Sequence, residues 1–470
     1  MTVVHILYWL NLLFFVALEV SYFLCLWLSA RQVRRYNRSV TFAEFKRIAQ
    51  SPLTTPVSIV IPAYNEETLI VRMLQNMLSL DYPDYEVIVV NDGSKDKTLA
   101  VLIDTFKLSR VERCDPAPIK TKEVLGVYQS PEYPKLIVVD KRNGQRPDAI
   151  NAGANLARHP LICVTDADCV FESDTLLHLV RPFLKDPEIA ATAGIVRLSN
   201  GLKVKDGKIT YRGFAQTPLG MNQEVEYARS FQWARLGLCQ LESMLCISGA
   251  LMLVKKSIFM AMGGSSSTVI TDDIEFTIRL NAHIFDRTKP REARLAYVPD
   301  AVCYTEVPAT LAQYASQRNR WTRGTLEALW LNWYMFLNPR YGLTGFFGMP
   351  FFVLFESASA LVEIFAYVSI LIFLLLGVAQ IGQILLVLFF AYILNIFLSL
   401  SAVLMSECSP FRAADWRNLW KLLLSVFVDS LGFHQFHLLA RVVGTFEYLF
   451  LGRRDLGAQM QRMTPTASSS

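Results

Sequence analysis

An α/β domain built on a mostly parallel sheet, with α-helical transmembrane segments at both ends, is the fold class this sequence predicts. Three observations carry it. The stretches Val3 to Ala30, Pro350 to Leu376 and Gln380 to Leu404 are each apolar and long enough to span a bilayer. Between the first and the second, from Pro56 onward, short β-rich runs alternate with windows of helical pattern, as parallel sheets covered on both faces require. The composition, 52% hydrophobic over 470 residues, exceeds that of ordinary soluble domains.

The first span (1–30) has no cationic region before it and Arg31, Arg34, Arg35 and Arg38 directly after it. It therefore reads as an uncleaved anchor whose C-terminal end faces the cytoplasm. A polar cytoplasmic linker, 31–55, leads to the domain of 56–310. Strands are expected at Val57 to Ile61, Glu86 to Val90, Leu136 to Val139, Leu161 to Thr165 and Ile189 to Ile195, with helices at Thr68 to Leu80, Lys97 to Leu108, Pro147 to Arg158 and Ser173 to Leu184. In such sheets ligands bind beyond the carboxyl ends of the strands. Ser199 to Gly213 reads as a peripheral hairpin.

Leu311 to Leu337 has no Pro and one Gly and reads as a helix, and Trp330, Trp333 and Tyr334 fit an interfacial amphipathic segment completing 311–349. In the C-terminal membrane region, 350–450, Trp420 to Phe450 is either one crossing or a broken helix pair, since it carries Asp429, His434, His437, Arg441 and Glu447. His434 and His437, three residues apart, are either metal ligands or ordinary polar packing. Glu19, Glu356 and Glu363 fall within spans, where they line a polar path or bridge helices. Two later spans return Cys408 and Arg412 to the cytoplasmic side, and 451–470 is a cytoplasmic or disordered tail.

The net charge of +5 is modest for this length and gives no case for nucleic-acid binding. The eight cysteines form no C-x-x-C pair, so structural zinc and a disulfide scaffold are not expected.

Chemistry concentrates in four polar clusters: Asn65-Glu66-Glu67, Asn91-Asp92-Gly93-Ser94, Asp166-Ala167-Asp168 and Thr271-Asp272-Asp273. Each alone reads first as a turn or a helix cap. Gathered on one sheet edge, so many carboxylates need a cation or a deprotonation task to offset their repulsion. On the helix after them, Gln317, Arg320 and Trp321 share a face. The guanidinium suits phosphate oxygens and the indole suits the C–H face of a sugar.

These clusters, with Val57-Ser58-Ile59-Val60-Ile61-Pro62-Ala63-Tyr64, Ser248-Gly249-Ala250 and Gln317-Arg318-Asn319-Arg320-Trp321, resemble the catalytic domain of family 2 inverting glycosyltransferases. With its membrane segments, the whole chain is similar to their processive, membrane-embedded branch of cellulose, chitin, hyaluronan and poly-N-acetylglucosamine synthases. The resemblance implies a GT-A, Rossmann-like fold and a cytoplasmic catalytic domain on the inner (cytoplasmic) membrane. It implies transfer from a UDP-sugar, UDP-GlcNAc or UDP-Glc, to a growing β-linked polysaccharide, with accessory export subunits left open. By the same carry-over, Asp273 is the catalytic base and Asp92, Asp166, Asp168, Arg320 and Glu66 bind the donor. Asp168 holds Mg2+ or Mn2+, while Trp321, Gln317 and Gly249 bind the acceptor. Two departures stand out: the base motif is Thr-Asp-Asp rather than Thr-Glu-Asp, and Lys141 to Arg146 matches the donor loop only loosely, so that Lys141 and Arg146 are phosphate contacts or a solvated basic loop. The rival readings are a single-transfer enzyme acting on a lipid-linked acceptor and an inactive membrane scaffold.

Overall fold

The computed structural model of the protein describes residues 2–39, 42–112, 117–287, 293–377, 381–407 and 416–454. Cys114, Cys408, Arg412 and the tail from Thr464 to Ser470 lie outside the described residues. Two units form: one within Tyr36–Gly213 and Cys246–Val307, the other within Met1–Arg35, Phe214–Leu245 and Pro308–Ala458. The expected domain of 56–310 is thus interrupted, because the helical segment Phe214–Leu245 belongs with the apolar helices and not with the sheet.

The first unit is organised by a ten-stranded sheet. Its strands are β1 (Val57–Ala63), β2 (Tyr85–Asp92), β3 (Ser109–Val111), β4 (Val124–Gln129), β5 (Leu136–Lys141), β6 (Leu161–Val164), β7 (Val170–Phe171), β8 (Ile189–Leu198), β11 (Met252–Lys255) and β12 (Arg294–Thr305), while β9 (Leu202–Lys205) and β10 (Lys208–Arg212) form the separate hairpin expected at 199–213. The order is β3-β4-β5-β2-β1-β6-β11-β8-β12-β7. Pairing makes β3, β5, β2, β1, β6, β8 and β12 point one way, with β4, β11 and β7 reversed.

Strands β1 and β2 are buried along their whole length, which explains why they are mostly apolar: both faces are covered, so no polar alternation is needed, and the polar Ser58 and Glu86 within them hydrogen-bond to each other at 2.7 Å. Helix Gln145–Leu156 covers one face so closely that a Cβ on Gly153 would lie 2.4 Å from Val60. After β1 the chain builds outward through β2 and β5, then returns to pair β6 on the other side of β1. That reversal is a topological switch point, and it opens a crevice at the carboxyl ends of β1, β2 and β6.

Residues 31–55, expected as a linker, are largely helical, in Thr2–Ser39 and Phe42–Gln50. The second of these helices docks on helix Thr175–Lys185 through Glu44, which pairs with Arg181 at 3.1 Å and Lys185 at 2.6 Å, and through Phe45, whose ring lies 4.2 Å from His178. His178 is buried between Asp300 at 2.8 Å and Asp174 at 3.1 Å. Burial works to lower its pKa, but the two carboxylates win and raise it from 6.5 to about 9. Its stabilisation is therefore fully present below pH 6.5 and lost as pH rises through 9, about 3 kcal/mol in all. Thermal unfolding between about pH 6 and about pH 10 should show a falling midpoint whose slope shrinks in His178→Asn. Identical slopes in the two proteins would contradict the assignment.

In the second unit, among the described residues, three helices are long and apolar enough to cross a membrane: Trp9–Arg38, Thr344–Leu375 and Ile384–Glu407. The pair Leu419–Val428 and Leu431–Leu451, bent by 56°, makes a fourth if it is one span. The helix over Trp420 to Phe450 is broken, with Leu431 and Gly432 outside helical geometry. Outward residues such as Trp9, Leu13, Leu371 and Phe389 are exposed, as lipid-facing positions would be. Within this unit Glu363 bridges helices, bonding the His434 imidazole at 2.9 Å and accepting the Tyr367 hydroxyl at 2.7 Å. His437 instead meets the Tyr314 hydroxyl at 2.6 Å, so the two histidines have different partners.

The helix carrying the Gln-Arg-Asn-Arg-Trp run is shorter than expected. It spans Leu311–Leu331, starts on a Thr310 cap and stops at Asn332, whose side chain donates back to Ala328 O at 2.9 Å. A tight turn, Trp333–Met335, follows. Trp330, Trp333 and Tyr334 are all exposed at this broken end rather than along one helix face.

Candidate active site

The site in the sheet unit begins with two stitched loops. The Asn65 N–H donates to Ser94 Oγ at 3.0 Å, the Glu66 N–H to Thr98 Oγ1 at 2.7 Å and the Lys97 N–H to Glu67 Oε2 at 2.9 Å. Each loop thus caps the other, and Glu66 is held buried beside the crevice. Gly93 turns the chain after β2 with φ +68°, where a Cβ would come within 2.8 Å of the Asn143 amide. That approach lets the Gly144 N–H donate to Asp92 Oδ1 at 3.0 Å.

Lys141 corrects the solvated-loop alternative. It ends β5, is fully buried, and reaches Asp92 at 2.6 Å and Asp148 at 2.5 Å. A strand's last residue can still point inward, and a loop reading of 141–146 hides that.

Beyond β6, the ligand atoms of Asp166, Asp168 and Cys169 all lie within 4.8 Å of one another. Burial, with Cys303 beside it, pushes the Cys169 thiol far above its usual range. The two carboxylates beside it supply hard oxygen ligands. That donor set fits Mg2+ or Mn2+ better than a thiophilic metal.

Arg146 is the residue that ties the site together. Its guanidinium meets Asp166 at 2.7 Å and donates to Gly249 O at 3.0 Å, and it pairs with Asp272. Gly249 in turn donates its N–H to Asp273 Oδ2 at 3.3 Å, while Asp273 Oδ1 accepts the Ile274 N–H at 2.8 Å. Asp272 and Asp273 open helix Asp272–Arg287. Burial raises the Asp272 carboxyl, Arg146 pulls it down, and Asp273 and Asp166 push it up again, leaving it above the ordinary range. Asp166, Gly249 and Asp273 are thus joined through a single cation. Asp168 lies beside Asp166, and Asp92 is anchored separately through Lys141 and Gly144.

In the other unit, Gln317 is buried and accepts from Arg318, while Arg320 and Trp321 are half-buried on the helix. The residues that sequence reasoning missed are Glu226 and Arg318, joined at 2.8 Å with Arg318 buried and Glu226 partly buried. Arg318 stood inside the motif as an unassigned letter, and Glu226 offered no local signal.

Residues 55–324 match the family described as "Glycosyltransferase like family 2". A poly-β-1,6-N-acetyl-D-glucosamine synthase of Staphylococcus epidermidis is 28% identical over 273 residues, 58% of this chain and 55% of that protein. The synthase of Staphylococcus aureus strain COL is 27% identical over 274 residues, again 58% and 55%. The chain spans about half the length of the curated relatives it matches. Among solved structures, a mannosyltransferase from Pyrobaculum calidifontis in complex with GDP-Man and Mn2+ shares 18% identity at a TM-score of 0.49, covering 88% of this chain and 99% of that one. Staphylococcus aureus TarS in complex with UDP-GlcNAc shares 14% at a TM-score of 0.39, covering 65% and 75%. With its family match running over more than half its length and taking in every carboxylate of the site, this chain belongs to glycosyltransferase-like family 2.

Proposed function

We propose that the protein is an inverting, processive transferase that moves a sugar from a UDP-sugar, UDP-GlcNAc first and UDP-Glc second, onto a growing β-linked polysaccharide. The observation that carries this is the network in which Arg146 joins Asp166, Asp272 and Gly249, with Gly249 donating to Asp273. It ties Asp166, one of the two metal-type carboxylates, to the candidate base through Arg146 and Gly249. The choice of sugar rests on the relatives named as poly-N-acetylglucosamine synthases.

Asp273 accepts the proton of the acceptor hydroxyl as that oxygen bonds to the anomeric carbon, and the bond from that carbon to the diphosphate breaks, releasing UDP. Attack opposite the leaving group turns an α-linked donor into a β-linked product. Asp168, with Asp166, would hold Mg2+ or Mn2+, which neutralises charge on the departing diphosphate. Lys141 and Gly144 both occupy Asp92 Oδ1, so a uridine contact falls to Oδ2. Glu66 stands at the donor loop, Arg320 answers leaving-group charge, and Trp321 with Gln317 receives the acceptor. The arginines after the first span support a cytoplasmic catalytic domain at the inner membrane, where UDP-sugars are made.

Membranes containing the protein, given labelled UDP-GlcNAc or UDP-Glc, should yield label in long polymer by size exclusion. Excess chelator should cut incorporation by roughly 100-fold or more, with recovery on adding Mg2+ or Mn2+. Product confined to mono- or disaccharide on lipid would move the enzyme to the single-transfer class. Undiminished activity in chelator would remove the metal.

A further inference from the structure

Arg318 occupies a position of the Gln-x-x-Arg-Trp pattern to which that pattern assigns no role. Its guanidinium carbon lies 4.5 Å from the Tyr314 ring and 4.2 Å from the Trp321 ring. The side chain is 2% exposed, and its Nε and Nη2 donate to the two carboxylate oxygens of Glu226, each at 2.8 Å. Glu226 Oε2 also accepts the Tyr314 hydroxyl at 3.0 Å. Burial acts to raise the Glu226 carboxyl, but Arg318 outweighs it and holds the value at about 2, so the partner stays charged.

This geometry has a consequence for Trp321. An arginine on a flexible stem does not by itself fix the ring it touches. A two-pronged bond to a carboxylate does fix the plane of the guanidinium, and a fixed plane against an indole fixes the indole. With Arg318 on one face of Trp321, a sugar has only the opposite face to stack on. Immobilising the platform in advance lowers the ordering cost of binding.

We propose that Glu226 is a positioning residue for the acceptor, holding the Trp321 platform in its stacking plane through Arg318. The proposal rests on the reading of Trp321 as the acceptor platform given above. A merely structural ion pair would lower expression and overall turnover alike. A positioning role changes the acceptor parameter selectively.

The test uses purified full-length protein, UDP-GlcNAc as donor and short β-linked N-acetylglucosamine oligosaccharides as acceptor. Glu226→Gln should raise the acceptor KM by about three- to thirtyfold, the range of a desolvated cation–π contact. The donor KM should stay within about twofold. In a Trp321→Ala background the same substitution should add nothing further, because its route of action is gone. Tyr314→Phe keeps the ring against Arg318 and removes the hydroxyl's bonds to Glu226 and His437, so it should shift the acceptor KM in the same direction by less, and, compared with His437→Ala, which removes the His437 contact alone, it carries the test if Glu226→Gln does not accumulate. An unchanged acceptor KM in Glu226→Gln and Tyr314→Phe, parallel changes in both KM values, or full additivity with Trp321→Ala would each overturn the proposal. A wild-type acceptor KM in Trp321→Ala alone would instead sink the platform reading on which it rests.

Discussion

Asp273→Asn should lower sugar transfer by about 10²- to 10⁴-fold, the range that a positioned general base contributes, while UDP-sugar affinity stays within about twofold. The substitution preserves shape and removes the proton acceptor. Its side effect on structure should be small, because Asp273 is held by two backbone amides, Ile274 N–H at 2.8 Å and Gly249 N–H at 3.3 Å. An asparagine keeps one acceptor oxygen for the shorter bond and forfeits the longer one. Titration calorimetry with UDP and single-turnover transfer with labelled donor separate the two effects. Wild-type turnover in the variant would show that another group takes the proton, and lost UDP binding would show that the network itself had collapsed.

The parts of this arrangement that were legible in the sequence share a physical cause. Strands β1 and β2 are buried on both faces, so each is mostly apolar apart from the paired Ser58 and Glu86; β2 ends in Asn91 and Asp92, and β1 leads through Tyr64 to Asn65 and Glu66. Strand β12 was not legible, since Pro299 and Asp300 interrupt it. The register shifts between Tyr297 and Val302, and that irregularity is where a proline without a ladder donor can sit. The helix Thr2–Ser39 runs past the apolar span because Arg31, Arg34, Arg35 and Arg38 are good helix formers, whereas polarity alone suggested a linker. In the site, Asp166, Asp168 and Asp273 could be picked out by the family pattern. The long-range partners could not: in the site Arg146 reaches Asp272 across 126 residues of sequence, and in the other unit Arg318 reaches Glu226 across 92. Such partners are set by the packed fold, and no local spacing encodes them.

Lys141→Met should cost roughly 3–5 kcal/mol of stability, as removal of one member of a buried ion pair does. The three N–H donors of the ammonium meet three acceptors: Asp92 Oδ1 at 2.6 Å, Asp148 Oδ2 at 2.5 Å and Arg142 O at 2.7 Å. Methionine fills the same volume but supplies no donor, leaving two carboxylates that are 3% and 7% exposed facing each other without a counterion. Their repulsion also loosens the turn that presents Asp92, so UDP affinity should fall together with the unfolding midpoint. Adding Asp148→Asn removes one of the stranded charges, and the double variant should recover part of both losses. Lys107 provides the contrast. Its pair with Glu132 is also within hydrogen-bond distance, 2.8 Å, but both side chains are more than half exposed, and Lys107→Met should leave the midpoint where it was. Denaturant unfolding of the four proteins, read by UDP binding and by hydrogen exchange in β5, decides between a buried counterion and a surface one. A midpoint in Lys141→Met equal to that in Lys107→Met would mean that Asp92 is held by its backbone contacts alone.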